Sequence, residues 1–330
     1  MAVQETSLKK PSLTLRIQRL LLTQEGVLLI ITLIASLIVS TQTDKFLTTE
    51  NLLNQGRLMT EIGLLALPMT FIIITGGIDL SAGSIVGLSA IVLGYSWFNK
   101  GYSLEASIFI ALAVSSLAGL INGLFIVRVR VPPLIMTLAT LTFYRGLAEG
   151  IAQSRSVRGY PAWFYELGQE ETWGIPNQLF ILVIAIVITA IILSRTTFGR
   201  SLYAIGNNEK AARFSGIPVS RNILLIYTFS GFMAGLAGYI FVSRVSTTRS
   251  DMGTGWELDA IAAVVLGGTS IFGGTGSIVG TVIGLILIQL LKNGLALTGV
   301  TGDATIVVIG SVLILSVLIN TIIQRRTVGV

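Results

Sequence analysis

The sequence contains neither cysteine nor histidine among its 330 residues. Without cysteine there is no disulfide framework and no thiol nucleophile, and without histidine there is no imidazole general base. The two absences together exclude a Cys/His metal site, and no other metal site is expected. A phosphate-binding loop of the form G-x-x-x-x-G-K-[ST] is also missing, because the glycine-rich runs near Gly77 and Gly274 lack the lysine. The chain is therefore not expected to be an enzyme or to hydrolyse ATP itself.

Charged residues are also scarce, at 12% of the chain against about 25% in soluble domains. Hydrophobic residues make up 52%, and the mean hydropathy is +0.83. Most apolar residues fall in blocks of about 18 to 24, the length at which an α-helix crosses roughly 30 Å of hydrocarbon. The composition thus predicts an all-α, polytopic membrane protein, because helices satisfy their own backbone groups in lipid. The net charge of +6 comes from basic residues beside helix ends, so it indicates orientation and no nucleic acid partner.

Ten membrane spans are predicted, in a single transmembrane domain over residues 1–330. Their approximate ranges are 24–42, 58–76, 79–98, 104–127, 131–148, 179–194, 222–243, 257–272, 276–297 and 304–322. An even number of spans puts both termini on one side of the membrane. Residues 1–20 and the C-terminus carry six basic residues, which indicate the cytoplasmic side of a bacterial plasma membrane: Lys9, Lys10, Arg16, Arg19, Arg325 and Arg326.

One connection, over residues 195–221, is the only predicted cytoplasmic loop long enough to hold structure of its own. After Gly206 it reads NNEKAARFSGI, which predicts a short helix begun by Asn207 or Asn208 and stopped by Gly216. Such a helix suits either an amphipathic segment at the membrane surface or a docking element for a cytoplasmic partner.

Several longer motifs resemble those of the permease subunits of ribose-type sugar ABC importers. GGIDLSAGSIVGLSA, PPLIMTLATLTFYRGLA, GNNEKAARFSGI, YTFSGFMAGLAGYI and ELDAIAAVVLGGTSIFGGTGSIVGTVIG occur in the family's order, between about residues 45 and 320. The resemblance implies a fold like that of type II ABC importer permeases. It also implies four partners: a second permease copy or a sister permease, ABC ATPase subunits, an extracytoplasmic sugar-binding protein and the lipid bilayer. ATP and Mg would bind in the ATPase, so no cofactor is expected in this chain.

The same resemblance assigns two sets of contact residues. The loop 195–221 would contain the coupling helix that seats in the ATPase, formed by Gly206, Asn207, Asn208, Glu209, Lys210, Ala211, Ala212, Arg213, Phe214, Gly216 and Ile217. The segment STTRSDMGTGWELDA lies where the family docks its binding protein, which indicates Arg244, Arg249, Asp251 and Glu257.

A translocation path is predicted around Asp79, in the run TGGIDLSAGSIVG between two apolar stretches. A carboxylate at mid-depth costs about 2.5 to 3.5 kcal/mol, and its neighbours favour a shallow position with a hydrogen-bonding partner. Asp79 could lock a helical break by accepting hydrogen bonds from the next helix, or line the path of a passing sugar, and the two roles are compatible. Threonines in spans also simply join helices. The candidate path residues are Asp79, Ser81, Asn122, Thr137, Thr140 and Thr269.

Three functions stay open at this point. The first expectation is import of a sugar or sugar-like solute, such as ribose, another pentose, a deoxyhexose or the furanosyl signal autoinducer-2. A nucleoside or branched-chain amino acid permease of the wider superfamily would share the helical break and the inner helix. A proton-coupled secondary transporter, in which Asp79 and Glu61 titrate, would need no ATPase and would leave the capped cytoplasmic helix without a role.

Overall fold

The computed structural model describes residues 24–300 and single positions between 302 and 318. The predicted N-terminal segment 1–20 and the six terminal basic residues lie outside the described residues, as does most of the tenth predicted span, 304–322. Within the described part the chain is almost entirely helical, and the predicted all-α class is confirmed.

Residues 24–300 form twelve helices and one small hairpin. The helices are α1 (Gln24–Gln42), α2 (Thr49–Ile74), α3 (Ala82–Gly94), α4 (Leu104–Leu124), α5 (Pro133–Ala152), α6 (Ala162–Gln169), α7 (Asn177–Arg195), α8 (Thr197–Asn207), α9 (Glu209–Phe214), α10 (Val219–Val245), α11 (Trp256–Leu266) and α12 (Ile278–Leu297). Single π-helical turns extend α3 over Tyr95–Asn99 and α4 over Phe125–Val129. The hairpin pairs β1 (Glu171–Thr172) with β2 (Ile175–Pro176) in antiparallel register.

Seven of the described helical segments are long and apolar enough to cross a membrane. They are α1, α2, α3 with its π turn, α4 with its π turn, α7, α10 and α12. Helix α5 corresponds to the fifth predicted span and has 20 residues. The total of ten spans is therefore not confirmed, although the polytopic architecture is.

The eighth predicted span, 257–272, is wrong as a single helix. Helix α11 has only 11 residues, so its length of about 16 Å is roughly half the hydrocarbon thickness. It ends at Gly267, and the chain then turns through Gly268, Gly273 and Gly274, which all have positive φ. The hydropathy of this stretch matches a span, but its glycines terminate the helix half-way.

The helices run between two ends, which we call the α9 end and the hairpin end. Helices α2, α4 and α7 run towards the α9 end, while α5, α10 and α12 run from it towards the hairpin end. The α9 end contains the helix-flanking basic residues Arg128, Arg130, Arg195, Arg200, Lys210, Arg213 and Arg221. Most acidic residues of the described chain lie at or near the hairpin end.

Helix α10 lies at the centre of the bundle and packs on α2, α3 and α4. Its approach to α4 is close because glycines face each other: a Cβ atom at Gly119 would lie 2.9 Å from the backbone nitrogen of Gly231. Small residues permit this approach between membrane helices, where packing replaces the hydrophobic driving force. The pairing depends on these two positions remaining without side chains.

Polar side chains join α2 to α12 along their length. Asn51 and Asn293 donate to each other at 2.9 Å, and Gln289 donates to Gln55 at 2.7 Å. Deeper in the bundle the Thr70 and Thr281 hydroxyls lie 2.7 Å apart. These bonds fix the register of the helices on either side of the short α11.

Candidate functional site

The chain between α2 and α3 forms a break inside the bundle. Helix α2 ends at Ile74, Gly76 has a φ of +81°, and α3 begins only at Ala82. Residues 75–81 therefore cross the protein as irregular backbone, which is tolerated at membrane depth only against protein or water. Asp79 lies in this break and is fully buried.

Three donors satisfy the Asp79 carboxyl group. Its Oδ1 accepts from the Ser81 backbone N–H at 3.0 Å and from the Ser81 hydroxyl at 2.6 Å. Its Oδ2 accepts from the Ser230 hydroxyl of α10 at 2.8 Å. Ser230 is the twelfth of the 27 residues of α10, so Asp79 lies close to the middle of that helix. The predicted partner is present, and it comes from a different helix.

Further polar groups continue the cluster around Asp79. The Asn122 amide donates to the Ser81 hydroxyl at 2.8 Å, and Tyr144 donates to the Ala118 carbonyl at 2.8 Å. Thr137 donates to the Ile78 carbonyl at 3.0 Å. The structure thus brings together four of the six predicted path residues, which are Asp79, Ser81, Asn122 and Thr137.

The other two predicted path residues do not hydrogen-bond to Asp79 or Ser81. The Thr140 hydroxyl donates to carbonyls of its own helix, with Met136 at 3.1 Å. Thr269 lies in the glycine turn after α11, where a Cβ atom at Gly276 would press on it. Ser230 is the residue that the sequence analysis missed, because its segment YTFSGF matches helix packing and only the fold brings it to Asp79.

A second break precedes the half-length helix α11. Residues 246–255 run back into the bundle along α3, and Gly253 and Gly255 have positive φ. Arg145 of α5 holds this segment, because its guanidinium donates to the carbonyls of Ser250 and Met252, the latter at 2.9 Å. It also donates to the Gly83 carbonyl in the first turn of α3, at 3.3 Å. One side chain therefore joins both breaks.

Two of the four predicted docking residues contact other parts of the chain. Glu257 is only 8% exposed, and it packs against Gly83 at the start of α3. Arg244 lies over the Phe241 ring, and its Nε donates to the buried Glu61 at 2.7 Å. Both side chains are engaged within the chain, and their contact with a binding protein stays a prediction.

The other two predicted docking residues remain exposed. Arg249 and Asp251 form an ion pair with each other at the hairpin end, and both side chains are more than half exposed. Glu61 and Asp79, which a proton-coupled transporter would need as a pair, have different partners, an arginine for Glu61 and hydroxyl groups for Asp79.

The predicted short helix of the loop 195–221 is present as α9. Asn208 caps it, since its Oδ1 accepts from the Ala211 N–H at 2.9 Å, and Gly216 follows it with a φ of +81°. Ala212 is buried against α8 and the start of α10, whereas Phe214 is 93% exposed. The predicted coupling residues fall into three groups. Helix α8 ends with Gly206 and Asn207, and the cap is Asn208. Helix α9 consists of Glu209, Lys210, Ala211, Ala212, Arg213 and Phe214, and it is followed by Gly216 and Ile217.

The end of α8, directly before α9, touches the end of α2, where the Asp79 break begins. A Cβ atom at Gly206 would overlap the carbonyl oxygen of Ile74, so backbone meets backbone there. The Gly274 N–H donates to the same carbonyl at 2.9 Å. Tyr203 of α8 donates to the Gly276 carbonyl at 2.7 Å. The capped helix, the glycine turn after α11 and the break around Asp79 therefore form one contact network.

Comparison with known proteins matches these features to a transport family. The profile of the family described as "Branched-chain amino acid transport system / permease component" matches residues 51–317. The chain belongs to this permease family. The match includes both breaks, α9 and the helices that hold the Asp79 cluster, and membership marks the protein as a transport subunit. No solved structure matches the permease significantly.

Individual relatives of the permease carry more specific names. It is 43% identical over 287 residues to the ribose import permease protein of Bacillus subtilis, covering 86% of this chain and 88% of that protein. It is 36% identical over 271 residues to the autoinducer 2 import system permease protein of Yersinia enterocolitica, covering 80% and 82%. A protein of the same name from Photorhabdus luminescens is 36% identical over 262 residues, covering 78% of each chain.

Proposed function

We propose that this permease forms the inward path for a sugar or sugar-like solute, which an external binding protein delivers. The similarity to permeases named for ribose and for autoinducer 2 supports a furanose-sized polyhydroxyl solute over a nucleoside or a branched-chain amino acid. The breaks supply hydrogen-bonding groups of the kind that such a solute needs, because Asp79, Ser81 and Asn122 meet inside the bundle.

ATP is bound and hydrolysed, in this proposal, by separate ATPase subunits that hold the Mg ion and dock on α9. The observation that carries the proposal is the contact between the end of α8, on which α9 packs through Ile205 and Ala212, and the end of α2, through Gly206 and the Ile74 carbonyl. A displacement of α9 by an ATPase would move the end of α2, and the break that contains Asp79 begins at that point. Coupling between distant sites requires such a contiguous network with two arrangements.

The α9 end faces the cytoplasm in this account. Seven basic residues flank the helices there, whereas the acidic residues of the described chain at that end are Glu25 and Glu209. Basic loops are retained on the cytoplasmic side of bacterial membranes. The hairpin end then faces outward, with the exposed pair Arg249 and Asp251 available to a binding protein.

A second permease copy, or a sister permease, completes the path. Helix α5 contributes Thr137 and Tyr144 to the Asp79 cluster on one face. Its opposite face leaves Leu138 and Phe143 more than half exposed in the single chain. A partner on this face would enclose the cluster between two chains.

The exposed Phe214 gives the sharpest test of ATPase docking. Phe214→Asp removes an apolar side chain that is 93% exposed and contacts nothing that stabilises the permease, so the variant should fold and should lose ATPase co-purification and ATP-driven uptake. Trp173→Asp, which changes an aromatic residue 90% exposed at the opposite end, is the matched control and should keep both. Retention of the ATPase by the Phe214 variant, or equal loss in both variants, would refute docking on α9.

A further inference from the structure

A cavity of about 520 Å³ opens at the α9 end. It lies between α9, the first turns of α10, the turn that joins α4 to α5, and the start of the Asp79 break. Its deep end is formed by Gly77 and Tyr227, and Tyr227 lies one helical turn before Ser230, the partner of Asp79. The cavity thus reaches the start of the break that contains Asp79.

The mouth of the cavity is basic. Arg130, Lys210 and Arg213 line it together with one acid, Glu209. Glu209 is engaged by Arg213 at 2.8 Å, so Arg130 and Lys210 form no ion pair with any described residue. Both of these side chains belong to exposed residues. Two unpaired cations at one opening favour an anionic ligand.

The backbone at Arg130 is unusual and presents this residue at the mouth. Arg130 has a φ of +63° and ends the π-helical turn of α4, directly before Val131 and the prolines that start α5. A residue with a Cβ atom is uncommon in this left-handed region, and such conformations concentrate at functional sites because the surrounding structure must hold them.

The interior of the cavity is apolar, which distinguishes a lipid from a free anion. Ile126, Val127 and Ile223 line it behind the basic mouth. On the adjoining turn Phe125 and Val129 are 46% and 63% exposed, so the opening borders an apolar surface of the kind that faces acyl chains. A small soluble anion would gain nothing from this apolar wall.

We propose that the cavity is a binding site for an anionic phospholipid of the cytoplasmic leaflet. The phosphate group lies between Arg130 and Lys210. The part of an acyl chain nearest to the glycerol lies against Ile126 and Ile223. The proposal rests on the proposed function for the assignment of this end to the cytoplasm. Anionic lipids are concentrated in that leaflet, and basic pockets between membrane helices on that side bind their head groups. The bound lipid would contact α9 and α10 at once, and so would brace the coupling helix against the bundle.

Lipid binding to the purified permease tests this site directly. The permease is stripped of lipid in neutral detergent, and native mass spectrometry compares phosphatidylglycerol with phosphatidylcholine of the same acyl chains. We expect phosphatidylglycerol to bind more tightly, with about a fivefold loss for Arg130→Gln and again for Lys210→Gln. Arg130→Lys should keep most of the preference, which separates loss of charge from damage to the turn. Arg158→Gln, at an exposed arginine of the opposite end, is the matched control and should change nothing.

The remaining arms distinguish other occupants. Displacement of phosphatidylglycerol by millimolar inorganic phosphate would show that the site takes any phosphate, and would overturn the lipid assignment. Equal affinity for the two lipids, or an unchanged preference in Arg130→Gln, would overturn the site. Weaker ATPase binding by Arg130→Gln with unaltered lipid binding would assign the mouth to an acidic group of the ATPase instead. The lipid measurement uses the permease alone, so a negative result would not bear on ATP-driven uptake. A negative result for ATPase coupling would likewise not bear on lipid binding.

Discussion

Substitutions of Asp79 test whether its hydrogen bonds hold the break between α2 and α3 in place. Asp79→Leu removes both oxygens and leaves three donors to find new partners. The Ser230 hydroxyl can turn to a carbonyl of its own helix, as serine does within helices. The Ser81 N–H cannot turn, because it is fixed by the backbone at the start of α3. An unsatisfied buried group costs about 1 to 3 kcal/mol, so we expect Asp79→Leu to destabilise the permease by about 2 to 4 kcal/mol.

Asp79→Asn is the conservative counterpart of this change. Its side-chain oxygen can still accept from the Ser81 N–H and hydroxyl, and its amide can donate to the Ser230 hydroxyl, which then accepts where it donated before. We therefore expect a cost of about 1 kcal/mol or less and partial transport.

Thermal unfolding of the two variants in detergent, together with uptake into vesicles, measures both effects. Asp79→Leu should melt at a lower temperature and lose transport, whereas Asp79→Asn should melt near the wild type. Ser230→Ala supplies a control, because it removes one donor and leaves Oδ1 fully bonded. Wild-type melting and uptake by Asp79→Leu would refute both the locking role and the path role of this residue.

Three further substitutions test the contacts around this site. Gly119→Val should abolish stable folding, because its side chain would overlap the backbone of α10. Gly146→Val is the control: a Cβ atom there meets nothing within 4 Å, so this variant should fold as the wild type. Expression and thermal melting measure both. Arg244→Gln should destabilise by about 3 to 5 kcal/mol by leaving the buried Glu61 unpaired, and Glu61→Gln in the same chain should restore part of the loss in chemical unfolding. Arg145→Gln should expose the segment 246–255 to faster hydrogen exchange without altering α9, and unchanged exchange there would contradict its role as the tie between the breaks.

The fold class and the inner helix follow from local sequence, and the site follows only in part. Helix α9 depends on Asn208 and Gly216, whose capping preferences are local properties, and both act as expected. The short length of α11 was not predicted, because hydropathy indicates only that a stretch is apolar enough for lipid. The glycines at 267 and 268 decide where the helix stops. Ser230 and the pairing of Arg244 with Glu61 could not be predicted, since each joins residues more than 150 positions apart that only the packing of α10 brings together.

Uptake into vesicles that contain this permease, an ATPase and a binding protein decides whether the chain is the permease of an ATP-driven sugar importer. The solutes are ribose, xylose, fucose and autoinducer-2, together with adenosine and leucine as solutes of the wider superfamily, each labelled and measured separately. The account predicts that at least one of the first four accumulates only when ATP is supplied, and that Phe214→Asp abolishes the accumulation while the permease stays folded. Accumulation driven by a proton gradient without ATP, or ATP-driven uptake of adenosine or leucine alone, would contradict it.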